Sequence, residues 1–247
     1  MSERDEWRSG TMRGAVESIQ IGRVQTLDGV AQGETLARPW TSAIVKHGVA
    51  GPVEVGSRGI VGDEQADPKH HGGVDKAILA YAARHYAAWS EELPEKRLGP
   101  GAFGENLTVT EVDESLSCIG DVVRIGGVLL QVTQPRQPCW KLSRLWNIPQ
   151  FAVRVQQSGR TGWYFRVLET GTLAPGDELM LVERPHPEVT VANAHAVMHD
   201  RPHVREVDLA LAACPALAAS WRTTLTRRAS GEELPSPLRR LEGEAAG

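Results

Sequence analysis

One cysteine stands in a stiff, cationic stretch, VTQPRQPCWKL, at residues 132–142. Pro135 and Pro138 each fix the backbone φ angle and remove a donor, so the chain beside Cys139 has little freedom. Arg136 precedes the sulfur by three residues, and a nearby cation favours the thiolate, the form that ligates metals. The stiffness suits a metal ligand better than a mobile redox thiol. A buried structural cysteine is the alternative, and it is the interpretation we favour for Cys118 and Cys214.

Three further polar clusters border predicted strands or helices, where a scaffold can present side chains from a loop. They are GDEQADPKHHGGVDKA at 62–77, GAFGEN at 101–106 and SGRTGW at 158–163. In the first cluster, Gly72 and Gly73 allow close approach of a ligand, and their amides can form a nest for an anion. His70 and His71 add donors there. The alternative is a solvated surface turn, and a zinc site is disfavoured because adjacent histidines rarely both reach one metal.

The other two clusters each allow two interpretations. Arg160, with the hydroxyl of Thr161, can grip a phosphate in fork geometry, or the segment is a helix-capping glycine followed by a turn. Asn106 can orient a heterocycle through its amide, or it closes an Asx-turn.

Composition narrows the class of protein. The chain has 247 residues, 41% of them hydrophobic, which is enough for one large domain with an appendage. A net charge of −4 gives no indication of a nucleic-acid or membrane partner. Three scattered cysteines make no disulfide framework, and the charged N-terminus is not a secretory signal. We therefore expect a cytoplasmic protein with reduced thiols.

Hydrophobic patterning predicts a β-rich first part. The segments GDVVRI and VLLQVTQ flank Gly126 and Gly127 and predict a hairpin. Residues 75–93 have helical spacing, with Asp75 as N-cap, and QFAVRVQQSG predicts a short helix that ends at Gly159. Residues 162–185 predict a second strand pair joined by a turn.

The pattern changes after Pro185, where Ala, Leu and Arg recur at helical spacing and Pro215 divides the longest run. The predicted organisation is a flexible tail at 1–12, a barrel domain at 13–186 and a C-terminal three-helix subdomain at 187–247. The fold class is mainly β: a distorted antiparallel barrel with inserted helices, followed by a small helical subdomain.

The ordered set of motifs resembles the MOSC domain, in its stand-alone bacterial YiiM-like branch. The residues that carry the resemblance are GIVGDEQADPKHHGGVDKA, FGENL, QPRQPCWKL and GWYFRV, followed by TVANAHAVMHD and SWRTTLTRRASG in the tail. The resemblance runs in the same order over nearly the whole chain. It implies the barrel and the C-terminal helices already expected from the patterning.

The resemblance also implies a cofactor, the molybdenum cofactor, whose pterin carries a dithiolene and a phosphate. Cys139 is then the protein thiolate ligand of molybdenum, which suits a soft metal already bound by sulfur. The residues that the resemblance places around the cofactor are His71, Gly72, Gly73, Asn106, Arg136, Arg160 and Thr161.

The activity implied is reduction of N-hydroxylated compounds, notably N-hydroxylated purine bases, to the amine. The chain has no segment resembling a flavin, haem or iron–sulfur site, so the implied electron donor is a separate flavoprotein reductase. His71 is the candidate proton source, because histidine titrates near neutral pH. The helical tail is a candidate homodimer interface.

Two other functions remain open at this point. An accessible Cys139 can carry a persulfide in a sulfur carrier or sulfurtransferase, although the chain has no fused cysteine-desulfurase segment. The protein can also be a non-catalytic carrier of the molybdenum cofactor.

Overall fold

The structure is a computed structural model that describes residues 13–28 and 38–243. The tail predicted at 1–12 lies outside the described residues. The strands are β1 (Arg13–Ile21), β2 (Gln25–Leu27), β3 (Trp40–Ser42), β4 (His47–Val49), β5 (Val53–Gly56), β6 (Gly59–Ile60), β7 (Ile78–Ala82), β8 (Leu107–Thr110), β9 (Val122–Ile125), β10 (Val128–Pro135), β11 (Trp163–Glu169), β12 (Gly171–Leu173) and β13 (Glu178–Glu183).

Helices lie between the strands and after them. They are α1 (Pro68–His71), a 3₁₀ turn at Val74–Lys76, α2 (His85–Glu92), α3 (Trp140–Trp146), α4 (Phe151–Ser158), α5 (Val191–His199), α6 (Arg205–Ala212), α7 (Ala219–Ala229) and α8 (Leu238–Glu242). Among the described residues, none of these helices has the length and apolar character needed to span a bilayer.

Seven strands close into a barrel, in the order β13, β9, β10, β11, β7, β8 and β1. The start of β1 pairs back onto β13, with Arg13 opposite Met180, and this pairing closes the circle. Strand β4 extends the sheet beside the end of β1. All of the barrel pairs are antiparallel except β7 with β8, which run parallel. The predicted antiparallel barrel is confirmed, with this one parallel pair as a departure.

The hairpin predicted around Gly126 is confirmed. Val128 pairs with Ile125, and Gly126 adopts a φ of 54°, in the left-handed region that glycine tolerates. The helix predicted to end at Gly159 is also confirmed, because α4 ends there with Gly159 at a φ of 71°.

Two predicted elements are wrong. Residues 78–82 form strand β7 rather than the first turns of a helix, and α2 begins only at His85. All five residues of β7 are buried, so the strand is apolar on both faces and shows no alternation that would distinguish it from a helix. The predicted strand pair after Gly162 is also not formed. Strand β11 pairs with β10 and β7, whereas β13 pairs with β9 and β1.

The C-terminal helices share the core of the barrel. Val191 of α5, Leu211 of α6 and Trp221 of α7 belong to the same cluster of buried side chains as the barrel interior. Pro215 lies between α6 and α7, as predicted. A second cluster, which includes Trp89 and Phe151, holds α2 and α4 together.

The junction between α4 and β11 requires glycine at position 162, and this gives a stability test. Gly162 has a φ of 75°, and a Cβ built there would lie 2.3 Å from the Ala80 carbonyl oxygen. We predict that Gly162→Ala lowers the free energy of unfolding by about 3 kcal/mol, from combined backbone strain and overlap. Gly159→Ala is the control: its φ is 71° but no atom lies within 4 Å of the added Cβ, so about 1 kcal/mol is expected. Equal losses in urea unfolding would contradict the role of the overlap.

Candidate functional site

Cys139 lies where barrel strand β10 passes into helix α3. The strand ends at Pro135, and Cys139 is the N-cap of the helix, with extended backbone angles of −130° and 165°. Its carbonyl accepts a hydrogen bond from the Leu142 amide at 3.0 Å, which begins the helix. The residue is only 6% exposed, yet it lines an open cleft. The sulfur is therefore shielded from bulk water and faces a space that a ligand can enter.

The cleft has a volume of about 90 Å³ behind an open mouth, which is smaller than the several hundred Å³ typical of small-molecule sites, so a larger ligand must extend through the mouth. Loops from separate parts of the chain form its walls. The polar residues that line it are Ser42, Lys46, Asp63, Glu64, Gln65, Asp67, His71, Lys76, Asn106, Arg136, Cys139, Lys141 and Tyr164. Four predicted site residues meet here: His71, Asn106, Arg136 and Cys139.

Arg136 carries an unused donor. Its Nη2 donates to the Phe103 carbonyl at 2.9 Å, and its backbone amide donates to the Gly162 carbonyl at 2.9 Å. The residue is therefore fixed both at its backbone and at the end of its side chain. Arg136 is buried, and in the part of the chain that the structure describes its Nη1 has no hydrogen-bond partner. Buried polar groups normally have a partner, so an unpaired guanidinium nitrogen at a cleft wall indicates a position for an anionic or acceptor group.

His71 is neutral at physiological pH. It ends the short helix α1, whose N-cap Asp67 accepts a hydrogen bond from the His70 amide and which has proline at its first position. Burial, and then the positive charges of Lys141 and Arg136, lower the pKa of His71 from 6.5 to about 4. The prediction that His71 is a proton source relies on titration near neutral pH, and burial together with these cations removes that basis. A neutral imidazole still offers one donor and one acceptor.

Asn106 is committed to the protein rather than free to bind a heterocycle. Its Oδ1 accepts from the Leu79 amide at 3.1 Å, and its Nδ2 donates to Asp63 Oδ2 at 2.9 Å. Asp63 also accepts from the Gly22 amide and from Lys46 Nζ, in an ion pair whose side chains are both 6% exposed. Asn106 and Asp63 together tie the loop of the first cluster to strands β1 and β7.

Arg160 and Thr161 are not brought to the cleft. Arg160 Nη2 donates to Glu92 Oε1 at 2.5 Å, and its guanidinium lies 3.8 Å from the centre of the Trp89 ring. The guanidinium thus forms a charged hydrogen bond and a cation–π contact within the fold. The Thr161 hydroxyl is buried and donates to the Gly162 carbonyl.

Gly72 and Gly73 adjoin His71 but do not line the cleft themselves. A Cβ at Gly72 would lie 2.5 Å from Gln65 Oε1 and 2.8 Å from the Pro68 carbonyl oxygen, so this glycine allows the loop to fold on itself. Gly73 adopts a φ of 97° and turns the chain into the 3₁₀ segment that carries Lys76.

Nine of the thirteen polar residues that line the cleft were not predicted as site residues, among them Lys46, Asp63, Lys76 and Tyr164. Lys76 donates to the His70 carbonyl at 2.7 Å, and burial lowers the pKa of its ammonium group. Tyr164 projects from β11, and burial raises the pKa of its phenol. Position 63 stood within the first polar cluster, but no local pattern indicated its pairing with Lys46.

The other cysteines lie away from the cleft. Cys118 and Cys214 are both buried, and burial raises the pKa of Cys118 to about 12, which keeps it as a thiol. The described residues contain no group of three or more His, Cys, Asp or Glu side chains arranged to hold a metal ion.

Comparison with known protein families gives two adjoining matches. The model described as "MOSC domain" matches residues 67–180, and the model described as "YiiM-like, 3-alpha helix domain" matches residues 189–231. The first match contains the cleft residues from Asp67 to Tyr164, and the second contains helices α5 to α7.

Individual relatives cover most of the chain. "Uncharacterized protein YflK" of Bacillus subtilis is 38% identical over 87% of this chain and 95% of its own length, and "Protein YiiM" of Escherichia coli is 37% identical over 82% and 91%. The crystal structure of YiiM from Geobacillus stearothermophilus aligns with a TM-score of 0.73 at 36% identity, over 87% of this chain and 99% of that one. A Gibberella moniliformis protein named "Reductase" is 39% identical over 76% of this chain, which matches 33% of that protein.

The lowered pKa of His71 predicts how the free energy of unfolding depends on pH. Between pH 6.5 and about 4 the unfolded chain binds a proton at His71 that the folded protein does not bind. The free energy of unfolding should therefore fall as the pH is lowered through this window, with no contribution from His71 above it. We expect urea unfolding at pH 7 and pH 5 to show a smaller loss in His71→Gln than in the wild type. The neighbouring, exposed His70 provides the control His70→Gln, and equal losses in all three proteins would contradict the burial effect.

Proposed function

The chain belongs to the MOSC domain proteins of the YiiM-like branch, and on that premise we propose that it is a molybdenum-cofactor-dependent reductase of N-hydroxylated compounds. One observation carries the proposal. Cys139 and Arg136 line one open cleft, and Arg136 Nη1 is a buried donor without a partner among the described residues, so a soft metal ligand and a cationic anion donor lie three residues apart on a stiff loop.

The residues of the cleft fit the cofactor chemically. Cys139 would supply one thiolate to molybdenum, and the dithiolene of the pterin would supply further sulfur ligands. Four cations (Lys46, Lys76, Arg136 and Lys141) and three carboxylates (Asp63, Glu64 and Asp67) line the cleft, and Arg136, Lys76 and Lys141 are the donors proposed to meet a phosphate-bearing ligand. This assigns the anion-binding role to Arg136, because Arg160 is engaged by Glu92 and Trp89.

The reaction is R–NHOH + 2 e⁻ + 2 H⁺ → R–NH₂ + H₂O, in which the N–O bond breaks and its oxygen leaves as water. When bound, the molybdenum centre supplies the two-electron chemistry that this cleavage requires. The electrons come from a separate flavoprotein reductase in this proposal. The protein contributes the ligand sulfur, the shielding of that sulfur and the placement of the substrate.

Proton supply belongs to the cleft cations rather than to His71. The pKa of Lys76 is lowered by burial, so its ammonium group is a better proton donor than that of an exposed lysine. The neutral ring of His71 accepts a hydrogen bond from the substrate hydroxyl and orients the N–O bond. Tyr164 keeps its phenolic proton across the physiological range and adds a further donor to the wall.

The two other functions make different demands on Cys139. A sulfur carrier must expose its persulfide to a partner's thiol, but the 6% exposure of Cys139 restricts such access. Cyanolysis of the purified protein tests this function, because a persulfide releases thiocyanate and a metal thiolate does not. A carrier of the cofactor would load apo-enzymes and show no turnover with a reduced dye.

The ligand role of Cys139 is tested by its removal. We expect Cys139→Ala, expressed in a host that makes the cofactor, to fold normally, to lose nearly all reductase activity and to contain little molybdenum by elemental analysis. The control is Cys214→Ala, another buried cysteine that lies away from the cleft. It should keep both activity and metal. Undiminished turnover in the Cys139→Ala variant would contradict the proposal that Cys139 binds molybdenum.

Variants of Arg136 and Arg160 test which of the two arginines forms the anion site. Arg136→Gln removes the unpaired Nη1 donor from the cleft, so cofactor retention through dialysis should fall by roughly ten-fold or more, as expected for a charge-assisted hydrogen bond. Arg160→Gln breaks contacts with Glu92 and Trp89 and should affect thermal stability more than metal content. The reverse pattern, with metal lost only in the Arg160 variant, would show that the phosphate lies at Arg160.

A further inference from the structure

Helix α8 lies beyond both family matches and returns to the cysteine loop. It follows α7 by a segment that leads the chain back to the barrel, where α8 packs against α3 and α4. Leu241 is buried in this contact, and a Cβ built at Gly243 would lie 3.4 Å from Cγ of Trp140, the residue after Cys139. The C-terminal helix therefore covers the segment that carries the cleft sulfur.

Arg240 makes the polar contacts between this helix and the loop. Its Nη1 donates to the carbonyl of Pro138, the residue before Cys139, and its Nη2 donates to Gln156 Oε1 at 2.6 Å. The Gln156 carbonyl is in turn 2.8 Å from His195 Nε2 on α5. One guanidinium thus joins α8, α4 and the cysteine loop, and the contact continues into the C-terminal helices.

The charge of Arg240 faces the cysteine loop. Both acceptors of its guanidinium are neutral, and within the described residues it forms no ion pair with a carboxylate. Burial lowers the pKa of Arg240 to about 10, while the charge of Cys139 opposes that shift and Arg136 adds to it. Arg240 remains charged at neutral pH. The loop that carries Cys139 therefore has Arg136 on one side and Arg240 on the other.

We propose that Arg240 is a positioning residue for the molybdenum ligand: it clamps the Pro138 carbonyl and thereby holds the Cys139 sulfur toward the cleft. Proline lacks an amide donor, so the two prolines leave the loop with few backbone hydrogen bonds of its own. The backbone amide of Arg136 anchors one side of the loop to Gly162, and Arg240 anchors the other side through Pro138. The hydrogen bond from Arg240 to the Pro138 carbonyl is a feature of the fold. The role of this hydrogen bond in molybdenum binding rests on the proposed function.

The first measurement uses the full-length protein without cofactor. Arg240→Met keeps the length of the side chain and removes its donors, Arg240→Lys keeps one donor atom and the charge, and Arg205→Met makes the same charge change at an exposed position of α6. Hydrogen–deuterium exchange is followed by mass spectrometry in the peptide that spans residues 139–147. We expect exchange there to be roughly ten-fold faster in Arg240→Met, because a hydrogen bond from a charged group is lost. Arg240→Lys should lie between, and Arg205→Met should match the wild type.

The second measurement uses protein loaded with the molybdenum cofactor. Arg240→Met should lose molybdenum faster on dialysis than Arg205→Met, and its thiolate-to-molybdenum absorption band should shift, with recovery toward the wild-type band in Arg240→Lys. If exchange at 139–147 is the same in Arg240→Met and Arg205→Met, the proposal is overturned. It is also overturned if exchange changes but the band and metal retention do not. Failure of the wild type to bind molybdenum at all would refute the proposed function instead and leave the exchange result standing.

Discussion

The cleft depends on the fixed end of strand β10. This strand is hydrogen-bonded to β9 on one side and to β11 on the other, and Pro135 still pairs with Trp163 at its last position. The next residue, Arg136, bonds its amide to the Gly162 carbonyl, so the sheet register extends one step into the loop. Cys139 lies four residues beyond this last pair with β11, so its position is constrained by the sheet. Such rigidity is what a metal ligand requires, because a small displacement of the sulfur changes the bond to the metal.

The charges that line the cleft are nearly balanced, with four cations against three carboxylates, but they are not all paired in the same way. Lys46 and Asp63 neutralise each other within the wall, and Asn106 completes the hydrogen bonds of that carboxylate. Arg136, by contrast, has one buried donor without a partner among the described residues, and burial, together with the cations nearby, lowers the pKa of His71 and keeps it neutral. An unpaired buried guanidinium nitrogen is costly, so its retention beside a cleft is most simply explained by a ligand that completes it.

The sequence predicted local features well and long-range ones poorly. The Gly126 turn and the Gly159 cap were predictable because glycine has a conformational range that other residues lack. Strand β7 was mistaken for a helix because it is buried on both faces, and its alanines and aromatic ring fit either period. The contacts of Arg160 with Glu92, and of Lys46 with Asp63, join residues distant in the chain. No spacing rule predicts such pairs, so the resemblance placed Arg160 around the cofactor whereas the fold directs its side chain to α2.

The C-terminal helices are integrated with the site rather than appended to the barrel. Asp75 accepts from the amide of Ala219 at the start of α7 and pairs with Arg166, and it lies on the segment that carries His71 and Lys76. The cysteine loop is reached from the other side by Arg240. Both walls of the cleft are thus bonded to helices that follow the barrel in sequence, and the apolar core is continuous across the two parts. A barrel without these helices would expose that core and leave both cleft loops with unpaired polar groups, so the site belongs to the combined unit.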